Sequence, residues 1–127
     1  MKTLLILLLP ITMFSQQMIG VHYSEVMELE NAKTRTTTDG DHFITSSGEY
    51  YLWVHYFNEA DYCWFSGLYP NSQEAMYAVI EVFNEEYIVV SDTKWKIYSR
   101  GLVVDVKLDQ DDDGSYLFVF FSESIKY

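Results

Sequence analysis

The sequence predicts an α+β domain: an antiparallel sheet of about five or six strands in two hairpin-rich groups, with one main helix (71–87) packed on one face, after a cleaved signal peptide. Three observations lead there. Aromatic and β-branched runs broken by turn residues lie on both sides of residue 70. One stretch between them has apolar residues at helical spacing. The opening MKTLLILLLPITMFSQQ has the layout of an export signal.

In that leader Lys2 supplies the positive end, Leu4 to Phe14 the apolar run, and Ser15, Gln16 and Gln17 the small and polar exit. The run is about half the ~20 residues that a helix needs to cross a bilayer, and Pro10 interrupts it. Cleavage is expected after Ser15, dividing the chain into a signal peptide (1–15) and a single α+β domain (16–127). The mature chain is expected to be secreted or periplasmic, without membrane insertion. A domain of this size holds one core.

Nineteen acidic residues against eight basic ones set a formal charge of −11, which becomes −12 once Lys2 is removed. Such a field repels phosphate backbones, so nucleic acid is excluded as a partner. The chain is still not a disordered acidic tail, because 49% of its residues are apolar and 17% aromatic, and that material demands a core. Cys63 is the only cysteine, so no internal disulfide supports the fold. It reads as a buried small hydrophobe; exposed, it would link two copies into a homodimer.

Taken in chain order, Ser24 is placed to cap a short helix through Leu29. The Thr-rich TRTTTDGD (34–41) reads as a loop that turns at Asp39-Gly40. In YYLWVHYFNEADYCWFSGLY (50–69) two runs flank Asn58 to Asp61, which predicts a hairpin. The helix follows Pro70, with Asn71 as cap, Glu74 as its capping-box partner, and Met76, Val79, Ile80, Phe83 and Tyr87 as the buried stripe. A second hairpin turns at Arg100-Gly101, so that Ile97 faces Val104, Trp95 faces Val106 and Lys96 faces Asp105.

The stretch LDQDDDGSYLF (108–118) repeats the first half of a calcium loop at Asp109, Asp111, Asp113 and Gly114. Counted from Asp109, however, the twelfth position is Phe120 where an EF-hand needs a bidentate acid, and strands rather than helices flank it. A hairpin turn is therefore expected, with Asp113-Gly114 at its centre or four residues from Asp111 to Gly114. Either choice sets Leu108 opposite Val119 and Val106 opposite Phe121. Calcium on Asp109, Asp111 and Asp113 is the minority alternative, and no other cofactor is expected.

No catalytic motif is present. His22, His42 and His55 lack zinc-ligand spacing. A Cys63–His55 pair would need both side chains on one sheet face, and a four-residue turn at 58–61 puts them on opposite faces unless the hairpin is bulged. The chain is expected not to be an enzyme. The hairpin's alternation assigns Leu52, Val54, Tyr56, Cys63 and Phe65 to the face under the helix. Tyr51, Trp53, His55, Phe57, Tyr62 and Trp64 are left as an aromatic surplus on the other face. From that set Trp53, His55, Tyr62 and Trp64 are the expected ligand-binding residues. The expected function is a non-catalytic module that recognises another macromolecule, a protein, through an acidic and aromatic surface. The alternatives are a carbohydrate-binding module, assisted by calcium, and an acidic inhibitor or immunity-type protein.

Overall fold

The computed structural model describes residues 17–29 and 31–127, so the expected signal peptide and its cleavage point lie outside the described residues. The elements are α1 (Tyr23–Val26), β1 (Ala32–Thr36), β2 (His42–Ser47), β3 (Tyr51–Phe57), β4 (Cys63–Pro70), α2 (Gln73–Glu86), β5 (Ile88–Ser91), β6 (Lys94–Ser99), β7 (Leu102–Gln110) and β8 (Tyr116–Phe121). All eight strands form one antiparallel sheet in the order β1-β2-β3-β4-β8-β7-β6-β5. The architecture is two four-stranded meanders, joined through α2 in the chain and sewn together in space by β4 against β8. No helix among the described residues is long and apolar enough to cross a membrane.

The sheet has eight strands where about five or six were expected, and the excess has an identifiable origin. Thr34 to Thr36 read as loop because they carry no apolar alternation. Threonine is nonetheless β-branched and suits an exposed edge strand, and here it pairs through Thr34↔Ile44 and Thr36↔His42. Ile88–Ser91 is the other addition, four exposed residues that continue directly from the helix.

Three of the hairpins use the same turn. At 37–41, 58–62 and 111–115 the first residue's N–H donates to the fifth residue's carbonyl, at 2.7, 2.9 and 2.7 Å. In each, the fourth residue donates back to the first and is left-handed: Gly40 at φ 93°, Asp61 at φ 65°, Gly114 at φ 90°. This is the three-residue loop that ends in a left-handed position. It overturns both turn assignments made above. β7 and β8 pair Leu108 with Phe118 and Val106 with Phe120, not with Val119 and Phe121. In the β3–β4 hairpin Phe57 pairs with Cys63, and a bulge then sets Tyr56 opposite Phe65. The Arg100-Gly101 turn does form as expected, with Ile97↔Val104, Trp95↔Val106 and Lys96↔Asp105.

Helix α2 starts one residue later than its expected cap: Ser72 Oγ accepts from Ala75 N at 3.0 Å, while Asn71 Nδ2 donates to Glu49 O at 2.7 Å. The stripe Met76, Val79, Phe83 and Tyr87 is buried, and Glu74, Glu81 and Glu85 face water. The α1 cap is likewise His22, whose Nδ1 accepts from Ser24 N, and not Ser24. Phe83 sits at the centre of the core, edge-on to Phe118 at 5.1 Å and to Trp95 at 5.3 Å. The N-terminal segment completes this layer with Met18, Ile19, Val21 and Val26.

Candidate functional site

Pair partners in an antiparallel sheet share a face, so the registers assign every strand residue to one side. Trp53, His55, Ile44, Ser66, Leu68, Phe118, Phe120, Val106 and Trp95 lie on the side covered by α2 and the N-terminal segment. This reverses the expected assignment. The helix covers the Tyr51, Trp53, His55, Phe57 set, because the helix stripe meets the larger aromatic surface, and the Leu52, Val54, Tyr56 side is left without a covering helix. Trp53 and His55 are 0% exposed, so neither reaches a ligand at the surface. Tyr62 is exposed, edge-on to His22 at 5.2 Å, and Trp64 is half-buried against Tyr127 at 5.4 Å. The four expected ligand-binding residues are therefore not brought together on one open surface.

Among the described residues no helix covers the outer face, although its Val54, Leu117 and Val119 are buried between their neighbours. One row runs across all eight strands: Arg35, Phe43, Tyr56, Phe65, Phe121, Asp105, Lys96, Ile88. The next runs Lys33, Thr45, Val54, Gly67, Val119, Lys107, Lys94, Ser91. Phe43, Tyr56, Phe65 and Phe121 are half-buried, with Phe43 stacked on Tyr56 at 5.4 Å and Tyr56 edge-on to Phe65 at 6.0 Å. Beside them Gly67 makes a floor: a Cβ there would stand 3.2 Å from Tyr69 Cε1 and 3.4 Å from Leu117 Cδ1. At one corner an acid meets an aromatic hydroxyl, where Tyr69 OH donates to Asp111 Oδ2 at 3.5 Å. Partial burial, reinforced by the Asp111 charge, raises the pKa of both Tyr56 and Tyr69. This face could not be told from the sequence because β3 and β8 are apolar on both sides; turn length would have placed β8 correctly, whereas which face of β3 lies under the helix is set by tertiary packing.

The bulge in β3–β4 does join Cys63 to His55, but through Ser66. His55 Nδ1 lies 2.7 Å from Ser66 Oγ, and Cys63 Sγ lies 3.3 Å from the same oxygen. Burial pushes the Cys63 thiol up to about 12 and holds His55 down at about 3. Both groups are thus neutral near pH 7, and the arrangement is a sealed polar bridge rather than an activated thiol.

In the aspartate loop the carboxylates point at their own backbone. Asp109 Oδ1 accepts from Gln110 N, Asp111 Oδ1 from Asp112 N, and Asp113 Oδ1 from Ser115 N, each at 2.8 to 2.9 Å. Asp109 also pairs with Lys107 at 3.6 Å. Among the described residues no three His, Cys, Asp or Glu side chains are grouped to hold a metal ion. A separate cavity of about 170 Å³ lies at the far end of β3, lined by Asp41, His42, Phe57, Asn58, Glu59, Asp61 and Tyr127. Its polar groups largely satisfy one another, His42 with Asp61 at 3.6 Å and Tyr127 with Asp41 at 3.4 Å. No protein-family model, curated protein or solved structure matches this chain.

Proposed function

We propose that the chain is an exported, non-catalytic binding module that recognises another protein through the outer face of its sheet. The observation that carries this reading is the row Phe43, Tyr56, Phe65 and Phe121, four aromatic rings on adjacent strands with no helix over them among the described residues. Aromatic side chains supply large contact area for few frozen rotors and are enriched where proteins meet. Export is supported by the leader-like first residues, and the sealed state of Cys63 and His55 speaks against thiol catalysis by that pair.

The test is a double variant, Tyr56→Ser with Phe65→Ser, used beside the parent chain as bait in cells that make the protein. Both positions are half-buried on the outer side, so the variant keeps the far-ultraviolet circular dichroism of the parent. Proteins captured by the parent and lost by the variant support the reading. Identical capture by the two baits sinks it.

A further inference from the structure

We infer that the partner segment bound on the outer face is acidic: a polypeptide stretch with an aromatic or aliphatic centre and carboxylates at both sides, laid across the strands. This rests on the binding reading above and adds the partner's charge and length. The net charge of −11 alone points to a cationic partner, but the charge is segregated. Of the eight basic residues, five occupy outward strand positions: Lys33, Arg35, Lys94, Lys96 and Lys107. Against them stand Asp105 and Asp109, the only carboxylates in a strand among the described residues.

The cations form two borders. Lys33 and Arg35 stand on β1; Lys107, Lys94 and Lys96 stand on β7 and β6. Asp105 and Asp109 neutralise Lys96 and Lys107, at 3.9 and 3.6 Å. Lys33, Arg35 and Lys94 are exposed and have no ion pair among the described residues. Between the borders lie the four strands that carry the aromatic row. From β1 to β7 is five strand spacings, roughly 24 Å, which an extended peptide covers with about seven residues. A segment whose acids are about that far apart meets both borders and lays its apolar centre on Tyr56 and Phe65. A bilayer surface fits less well, because a broad anionic plane also meets the exposed Asp111, Asp112 and Asp113 at the rim of the same face.

The experiment pans a random-peptide phage library on the full chain at low salt, then titrates the enriched synthetic peptides against variants by calorimetry. Enriched sequences are expected to carry acids on both sides of an apolar centre. Their affinity is expected to fall about ten-fold in Lys33→Glu/Arg35→Glu and again in Lys94→Glu/Lys107→Glu. The neutral pair Lys33→Gln/Arg35→Gln should give a smaller loss and guards against misfolding of the reversed one. Basic or uncharged enriched peptides overturn the inference. So do peptides that bind the charge-reversed variants undiminished; if these still need Tyr56 and Phe65, the outer face survives as the site. Peptides indifferent to Tyr56→Ser/Phe65→Ser, or failure to enrich any sequence, overturn both readings. Tight binding to vesicles of phosphatidylcholine and phosphatidylglycerol that displaces the peptides replaces the polypeptide with a membrane.

Discussion

His55 Nδ1 and Ser66 Oγ lie 2.7 Å apart across β3 and β4, and both side chains are closed off from solvent. The imidazole is held neutral because burial lowers its pKa from 6.5 to about 3. Between those two values the unfolded chain binds a proton that the folded chain refuses. Stability therefore rises with pH across that window and is lost as pH falls from 6.5 towards 3, by about 1.4 kcal/mol per pH unit from this group. Urea unfolding at pH 7, 5 and 4, compared between the parent chain and His55→Gln, measures it. The variant is less stable at pH 7 and has the shallower pH dependence; equal slopes would contradict the assignment.

Cys63 is expected to be inert in the folded state. With its thiol pushed up to about 12 and no solvent contact, labelling by an aromatic disulfide at pH 8 should proceed only as fast as the chain opens. Labelling rates that climb with urea in parallel with unfolding meet this expectation. Rapid labelling of the native protein would not.

The repeated three-residue turn predicts a ranking. Gly114 sits at φ 90°, where a side chain costs about 1–2 kcal/mol. Asp61 occupies the equivalent position at φ 65° and already carries that strain. Gly114→Ala should therefore destabilise clearly, while Asp61→Gly should cost little, since its exposed pairing with His42 at 3.6 Å contributes weakly. Chemical denaturation of the two variants orders them.

Asn84 Oδ1 accepts from the buried indole of Trp95 at 2.8 Å. Asn84→Ala removes that acceptor and should cost about 1 kcal/mol, although Asn84 itself is exposed. The same loss should be absent when the substitution is made in a Trp95→Phe background, a double-mutant cycle read by thermal melting.

Calcium at millimolar concentration is expected to leave the melting temperature unchanged. Asp109, Asp111 and Asp113 each spend an oxygen on a neighbouring backbone N–H. Displacing those bonds would have to be repaid by a loop that also lacks a bidentate acid. Calorimetric heat on calcium addition would reverse this conclusion.

The helix and the Arg100-Gly101 hairpin could be read from residues alone, because each has a single strong signal. Met76, Val79 and Phe83 repeat at one helical face, and Lys96 opposite Asp105 agrees with Trp95 opposite Val106. The outer face could not be read in the same way. Both faces of Tyr51–Phe57 and of Tyr116–Phe121 are apolar, so alternation does not say which side is covered. For β8 the decision falls to turn length: the left-handed Gly114 closes a three-residue loop, and that one-residue change puts Phe118 and Phe120 on the core side in place of Val119 and Phe121. For β3 no turn decides it, since Trp53 and His55 alternate with Val54 and Tyr56 in one strand whatever its turn; which face the helix covers is set by tertiary packing, and the helix lies over Trp53 and His55.

The separation of charge between the two sides of the sheet also bears on how the molecule moves before any contact forms. Most of its nineteen acidic groups lie off the outer face, and most of its basic groups lie on it. The outer face is therefore less negative than the molecule around it. An acidic segment of the kind inferred above is repelled least from that direction, so its encounters are pre-aligned, and added salt weakens both the overall repulsion and that alignment.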